Sequence, residues 1–511
     1  MRSRLRRDDM SYEKRADYSK TYLLPPSLED WVGADHPARF VREVVDVLDL
    51  RGLGFKQRKS EDGRPNYAAD LLLKVWLYGY LMRIRSSRAL ERAVRDSVGL
   101  KWLTGMHEPD HNTLWRFFSE NKRALRNVFK QVVRVAAKAE LIGVVLHAVD
   151  GTKMTGASSR RTAWHKADLE KVLKRLDESI EQMMRGVAEA ETSESGEYRI
   201  PEELAEKEHL RKKIKQALVE IEEAGEKDLH PHEKEARMMN CFGKGVRKEF
   251  GYNAQAVVDA HSGLVVAQEV VNEADDHGLL VPMIEKTEEN LGQAAEETVA
   301  DEGYRSAAEL RLAEDREYSV IVALGRQGED VKGVGEYHPS KFRYDGKKDQ
   351  CICPRAEVLE FERETTSGKD KLPVRVYRCR SYKQCSSRWQ CSQAKNGRKI
   401  ELSVYHESLV RQRLKQRNKE KQAALKRRQV IVEPLFAHIK HAMGFRRLTY
   451  RGLESVRTQW SLLCTTVNLS KLYKHWLSGN LSLAGAEMNG NLSFTSVAMS
   501  GTLSLAGAGK G

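Results

Sequence analysis

Three acids in this chain stand where structural elements are predicted to end or begin, and that placement sets the chemistry they could do. Asp150 closes the mostly aliphatic run Leu141-Ile-Gly-Val-Val-Leu-His-Ala-Val-Asp150 and precedes Gly151-Thr152-Lys153. A Pro-free apolar run predicts a buried strand, with Asp150 emerging at its carboxyl end, where open α/β sheets place their chemistry. Asp301 closes a second short run, Thr298-Val299-Ala300, and Glu433 follows Val430-Ile431-Val432 and precedes Pro434 at the predicted start of a helix. Acids far apart in sequence but brought together at element ends suit a site for divalent ions. Mg²⁺, with Mn²⁺ as its alternative, is hard and takes carboxylate oxygen and water in preference to His or Cys. Two such ions held ~3.5–4 Å apart activate a water or a 3′-hydroxyl and stabilise the leaving oxygen of a phosphodiester. In that arrangement Asp150 bridges both ions, Asp301 holds one and Glu433 the other. Lys440 lies seven positions, two helical turns, after Glu433 and so on the same face, within reach of a phosphate. Each acid also has a plainer reading: Asp150 and Asp301 as turn residues near Gly, and Glu433 as a favourable charge at a helix N-terminus.

The cations fit an anionic partner. The formal charge is +14 and the isoelectric point about 9.2, which favours a polyanion, with nucleic acid the first candidate and a merely solvated basic surface the alternative. From Arg411 to Arg428 there are nine Lys or Arg and one acid, Glu420. That density reads as a track for phosphates that ends in Arg427 and Arg428, with Arg446 and Arg447 extending it; a solvated helix face is the competing reading. No run approaches the ~18 apolar residues of a membrane helix, and no apolar segment follows the basic start as in a signal peptide. The chain has seven cysteines, an odd number, with five of them between positions 351 and 391. This argues against a secreted disulfide framework and for a cytoplasmic protein.

The elements that must position the acids follow in order. The 511 residues have room for two or three domains. Residues 1–137 read as helical: an all-round apolar helix over Asp70–Leu81, a turn at Arg85-Ser86-Ser87 with a Ser N-cap, a helix from Arg88 to Val98, and a third from Thr113 through Arg116 towards Val135. Short helices with Arg85, Arg88 and Arg116 near their turns suit a helix-turn-helix DNA-binding module; a plain helical bundle is the alternative. Residues 138–475 then carry the strand ending at Asp150, an inserted antiparallel helical hairpin (165–235), and a β-hairpin with Gly263 in its turn. A helix over His277–Leu291, the strand ending at Asp301, a helix over Ser306–Ala313, the strand Tyr318–Leu324 and the helix bearing Glu433 complete the order. This is the order of an RNase H-like mixed sheet, an α/β class that would make the three acids converge. A small insertion (340–400) holds Cys351, Cys353, Cys379, Cys385 and Cys391. Clustered thiols suggest tetrahedral structural Zn²⁺, although the spacing lacks a CxxC pair; reduced, unligated cysteines are the alternative. After residue 475 the motifs Gly479-Asn-Leu-Ser, Gly490-Asn-Leu-Ser and Gly501-Thr-Leu-Ser recur every 11 residues in a charge-poor tail (476–511), read as a flexible extension.

At these residues the chain resembles the DDE transposases of bacterial insertion sequences. The resemblance rests on Val149-Asp-Gly-Thr-Lys153, Gly251-Tyr-Asn-Ala-Gln255, Asn272-Glu-Ala-Asp-Asp-His-Gly278, Ala300-Asp-Glu-Gly-Tyr304 and Val432-Glu-Pro-Leu-Phe-Ala-His-Ile-Lys440. It also rests on Gly444-Phe-Arg-Arg447 and Arg451-Gly-Leu453, and covers roughly residues 20–475. Towards the N-terminus, Leu23-Leu-Pro-Pro-Ser27, Tyr78-Gly-Tyr80, Ser86-Ser-Arg88 and Pro109-Asp-His-Asn-Thr113 are similar to the helical domain of that family. The resemblance implies that Asp150, Asp301 and Glu433 form a DDE triad with Lys440 as its signature lysine. The family's arginine four residues before the Glu is replaced here by Gln429, with Arg427 and Arg428 just ahead. Further implications are double-stranded DNA partners, namely terminal inverted repeats and target DNA, a homodimer on two DNA ends, and a bacterial, nucleoid-associated location. A nuclease of the same fold without strand transfer, or an inactive DNA-binding relic, would share most of these residues. The tail beyond residue 478 does not resemble the family.

Overall fold

The computed structural model describes residues 27–56, 66–191, 202–242, 246–325, 335–367 and 372–483. Six helices come first: α1 (Pro37–Asp46), α2 (Ala69–Leu81), α3 (Ser87–Asp96), α4 (Val98–Thr104), α5 (His111–Glu120) and α6 (Lys122–Lys138). Their starts follow local chemistry. Ser86 accepts from the Ala89 amide at 3.2 Å to cap α3, and Asp110 accepts from Thr113 at 2.6 Å to cap α5. Helix α2 is buried from Leu72 to Tyr80, as its all-round apolar sequence requires, and the predicted third helix is instead two, broken at Asn121.

The sheet follows. Strand β1 (Leu146–Thr155) is succeeded by β2 (Trp164–His165), α7 (Lys166–Glu191), α8 (Glu202–Glu223) and β3 (Asp228–Leu229). Helices α7 and α8 form the expected antiparallel arm, with Leu176, Ile180, Leu204 and Ile214 buried between them and the β2–β3 pair at its base. Then come β4 (Arg237–Met239), β5 (Glu249–Asp259), β6 (Val265–Val271), α9 (Leu280–Leu291), β7 (Glu297–Ala300), α10 (Ala307–Asp315) and β8 (Val320–Val322). Both β4 and β6 pair with β5, and the order continues β5–β1–β7–β8, with β1, β7 and β8 parallel and β5 antiparallel to β1. This is a mixed α/β core with the predicted sequence of elements. The insertion forms a second, antiparallel sheet of β9 (Arg343–Asp345), β10 (Gln350–Ile352), β11 (Val358–Ser367), β12 (Leu372–Cys379) and β13 (Lys399–Ser403), with the one-turn α11 (Arg388–Cys391).

Helices α12 (His406–Gln416), α13 (Lys419–Ala437) and α14 (Leu453–Leu477) close the chain. Glu433 does not begin a helix as the Pro434 signal predicted. The helix starts at Asn418, whose side chain accepts from the Glu420 amide at 2.8 Å, and Pro434 lies inside it. An internal Pro leaves a carbonyl one turn back without its partner, here at Val430, whose residue is 77 % exposed and so open to water. A π-helical turn at His438–Ala442 follows.

Helix α14 is buried along most of its length and pins the hairpin of β5 and β6 to the helices. Trp460, fully buried, donates from Nε1 to the Gln255 carbonyl at 3.0 Å. Asn468 serves both backbone groups of Val265, accepting from its N–H and donating to its carbonyl, each at 2.8 Å. Since β6 pairs only with β5 on the sheet, Asn468 satisfies edge groups that water cannot reach. One hydrophobic core runs from Phe40 and Trp76 through Val257 and Val299 to Trp460. Leu481 and Leu483, in the first copy of the tail repeat, are buried against it, so the tail begins docked; the copies at 490 and 501 lie outside the described residues. Asn468→Ala should lower the urea midpoint and cost roughly 1–3 kcal/mol, because both Val265 groups stay buried and unpaired; an unchanged midpoint would show the pair to be dispensable.

Candidate active site

Register brings two of the three acids together. Val149 and Ala300 are the last partners of the parallel β1–β7 pair, so Asp150 and Asp301 follow side by side. Strand β1 does not end there as predicted but runs on to Thr155 beside β5, placing Asp150 where β1 and β7 part. Asp301 caps the short 3-10 turn Glu302–Tyr304, its Oδ1 accepting from the Gly303 amide at 2.9 Å. Asp150 accepts from the Gly151 amide at 2.8 Å and, through Oδ2, from Arg428 Nη1 at 2.5 Å. Both side chains of this ion pair are mostly buried, 16 % and 13 % exposed. Burial pushes the Asp150 carboxyl up from 3.8 to about 6; the Asp301 charge adds to the rise, and Arg428 opposes it without overcoming it.

Helix α13 crosses β1, with Arg428 and the buried Val432, Leu435 and, just beyond its end, Ile439 on its inner side. Glu433, one residue past Val432, lies about 100° around the helix and is exposed. Lys440 leaves from the side that Glu433 shares and donates to Thr152 Oγ1 and to the Lys153 carbonyl, two and three residues beyond Asp150. Burial holds the Lys440 amine below its ordinary value. The structure thus joins Asp150, Asp301, Arg428 and Lys440 at one end of the sheet and leaves Glu433 on the solvent side of α13. Among the described residues, no three His, Cys, Asp or Glu side chains are gathered into a set able to hold a metal ion.

A fourth acid, Asp276, stands at the same place. It comes from the loop between β6 and α9, and its Oδ1 accepts from Lys153 Nζ at 2.8 Å, Asn253 Nδ2 at 2.7 Å and Gln255 Nε2 at 2.8 Å. Tyr304 donates its hydroxyl to Gln255 Oε1. The charges of Asp276, Asp150 and Asp301 together raise the buried Tyr304 hydroxyl well above its ordinary value, after burial itself. All of these residues lie in the motifs Val149–Lys153, Gly251–Gln255, Asn272–Gly278 and Ala300–Tyr304, where spacing alone assigns them no role. A signal was present: Asn253 and Gln255 are amides in an otherwise apolar strand, and both are fully buried.

The predicted DNA-contacting arginines divide. Arg88 and Arg116 are exposed on α3 and α5, and Arg427 is exposed on α13, lining a groove of about 330 Å³ with Val430, Pro434 and Lys471. Arg446 is exposed and meets His441 at 3.3 Å. Arg428 is engaged within the fold instead, while Arg85 and Arg447, though exposed, also bond to it. Arg85 stacks over Phe445 at 5.1 Å and donates to the Met443 carbonyl at 3.3 Å. Arg447 donates to the Gly156 carbonyl at 2.7 Å, beside the bridge between Thr155 and Arg447 that ties the GFRR segment to the end of β1.

The five thiols also divide. Cys351 is buried in the core of the small sheet with Cys379, its thiol pushed up to about 12 by burial and then by Asp349. Cys353, Cys379, Cys385 and Cys391 lie close enough for their charges to act on one another. All five are free cysteines.

Residues 352–473 match a family model described as a transposase DDE domain, and residues 26–120 match one described as Transposase domain (DUF772). The first match spans Glu433 and Lys440, and Asp150 and Asp301 lie before it. A search of curated proteins found no match, and a search of solved structures found none either. Among the described residues no helix is long and apolar enough to cross a membrane.

The state of Asp150 is open to measurement. Asp150→Asn mimics the protonated acid. Below pH 3.8 the folded and unfolded wild-type carboxyls are both protonated, so the variant gains nothing. As pH rises towards about 6, the unfolded carboxyl ionises freely while the buried one resists, and the wild type loses stability. In chelator-treated protein, D150N should therefore melt at the same temperature as wild type near pH 4 and higher than wild type above pH 6.5, the gap opening between these limits. A gap independent of pH would show that Asp150 is not perturbed.

Proposed function

We propose that this chain, which its two family matches support as a DDE transposase of an insertion sequence, binds the terminal inverted repeats of its element and cleaves and joins DNA at their ends. The observation that carries the reading is the β1–β7 register that sets Asp150 beside Asp301. The strand order β6–β5–β1–β7–β8, with Glu433 on a following helix, supports an RNase H-like core. The donor set suits Mg²⁺, with Mn²⁺ as a substitute: Asp150, Asp301 and Glu433 offer hard carboxylate oxygen and no softer ligand. When bound, such ions supply activation of a water or 3′-hydroxyl and stabilise the leaving oxygen.

The chain's own residues do the rest. The register holds Asp150 and Asp301 in fixed relation, and α13 and the turn after it carry three groups past them. Arg428 neutralises Asp150, Glu433 faces outward at the rim, and Lys440 beyond the helix stands over Thr152 where a phosphate would lie. Arg427 and Arg446 extend the basic surface. Helices α3 and α5, with Arg88 and Arg116 exposed, would bind the repeat sequence, and phosphate contacts there would position the DNA while base contacts specify it. Two copies would act on two ends, in the bacterial cytoplasm at the nucleoid. For the insertion, Cys353, Cys379, Cys385 and Cys391 are the four thiols we assign to a structural Zn²⁺; they are near enough for their charges to interact but are not gathered into a metal-holding set, so the ion would have to draw them together.

With end DNA and Mg²⁺, wild type should give cut and joined products, while Asp150→Asn, Asp301→Asn and Glu433→Gln each retain end binding and lose cutting by ~10³-fold or more. Cut ends without joining would identify a nuclease, and binding without cutting by the wild type a relic. Separately, protein purified without chelator should contain about one Zn per chain, lost in Cys385→Ser and kept in Cys351→Ser. Metal analysis that finds none would sink the zinc assignment alone.

A further inference from the structure

We infer that Asp276 is a positioning residue, a wedge whose single carboxylate fixes Asp150 and Asp301 relative to each other. The inference rests on the transposase reading of those two acids and deepens it. Its basis is where Asp276 sits. A Cβ built on Gly151, next to Asp150, would fall 2.9 Å from Asp276 Oδ1, and 3.0 Å from Asn253 Oδ1. A Cβ on Gly303, two residues past Asp301, would fall 3.0 Å from Asp276 Oδ2 and 3.0 Å from Asp301 Oδ1. The two oxygens of one side chain thus occupy the space over the glycine beside each acid, sharing it at Gly151 with Gln255 Nε2, closer still to the same Cβ, and at Gly303 with Asp301 itself. A side chain at Gly303 would press on Asp276 and Asp301 together, and one at Gly151 would strike Gln255, a donor to Asp276, before Asp276 itself.

The wedge is itself held. Asp276 Oδ1 takes the three donors Lys153 Nζ, Asn253 Nδ2 and Gln255 Nε2, and Oδ2 takes Lys153 again at 3.0 Å. Asn253 and Gln255 are on β5 and Lys153 on β1, so the sheet fixes the carboxylate, and the carboxylate fixes the two turns. Its side chain is 16 % exposed and its charge is matched by Lys153. With Oδ1 taken by three donors and Oδ2 turned to Lys153, Asp276 is placed to orient its neighbours. Groups that orient metal ligands commonly change metal affinity by 10–100-fold when removed.

The test uses full-length Asp276→Asn, Asp276→Glu and Gly303→Ala, with Mn²⁺ binding to DNA-free protein by electron paramagnetic resonance, thermal unfolding, end-DNA binding and cutting. Asp276→Asn should weaken Mn²⁺ binding by roughly 10-fold or more and slow cutting in proportion, with end binding unchanged. Asp276→Glu should not rescue it, because the added methylene has no room between the glycines. Gly303→Ala, which removes no donor but crowds Asp276 and Asp301 alike, should weaken Mn²⁺ binding in wild type and add little further loss in the Asp276→Asn background, where the wedge is already gone. Wild-type Mn²⁺ affinity in both Asp276→Asn and Gly303→Ala would overturn the inference, as would full rescue by Asp276→Glu, which would reduce Asp276 to a charge partner of Lys153. Should Asp150→Asn itself bind Mn²⁺ and cut like wild type, the transposase reading of the site would fail instead, whatever the Asp276 variants show.

Discussion

The parallel pairing of β1 with β7 is the constraint on which the site depends. A strand pair fixes side-chain height along its whole length, so one register, Val149 opposite Ala300, decides that Asp150 and Asp301 lie together. A one-residue slip would turn every side chain of β7 to the other face. What resists the slip is burial: Val299 and Ala300 of β7, and Ala148 and Val149 of β1, are fully buried. Buried apolar residues on both strands therefore set the geometry of two carboxylates that contribute nothing favourable to the core themselves. Helix α14 holds the other side of the same sheet through Trp460 and Asn468, so the hairpin that supplies Asn253 and Gln255 cannot drift away from β1.

Much of this was legible in the chain. The two aliphatic runs that end in acids became β1 and β7, the Gly263 turn became the hairpin of β5 and β6, and the charged stretch after 165 became an arm with its own small core. The errors have local causes. Pro434 is a strong helix-start signal, yet the helix begins at Asn418, and an exposed backbone at Val430 tolerates the carbonyl that Pro434 leaves free. The expectation that β1 ends at Asp150 failed because Gly151 permits the strand to continue past the crowded Asp276 and Gln255 side chains. Asp276 escaped because a loop residue has no periodicity to read. Its significance appears only when Lys153, Asn253 and Gln255, drawn from two strands, are seen to converge on one oxygen.

The arginines show why a basic stretch does not convert directly into a nucleic-acid surface. Spacing and density cannot tell a guanidinium that faces water from one that the fold itself uses. Arg427 and Arg428 are neighbours in sequence, and a helix turns them 100° apart. One faces a groove of about 330 Å³ and the other a buried carboxylate. Arg85 and Arg447 reach the same short segment, Met443 to Leu448, from different parts of the chain, Arg85 by contact and Arg447 as a member of it. They join the N-terminal helices, the end of β1 and the chain after α13. Arg88, Arg116, Arg427 and Arg446 are exposed with no such bond to a backbone carbonyl among the described residues, whereas Arg85 and Arg447 are exposed and donate to one.

Electrostatics explains why this site is suited to a further cation rather than merely tolerant of one. Asp150 is buried beside Asp301, and an ion pair at 2.5 Å would ordinarily hold its carboxyl low. It is instead raised to about 6, so one guanidinium does not offset desolvation together with a neighbouring carboxylate. Lys153 gives no help, because Asp276 takes its charge. Lys440 is turned towards Thr152 and the Lys153 carbonyl, and its amine is itself held low by burial. The uncompensated charge is therefore that of Asp150, beside the neighbour that the register gives it. Glu433, by contrast, stands in water on the outer side of α13, where no such burial acts on it.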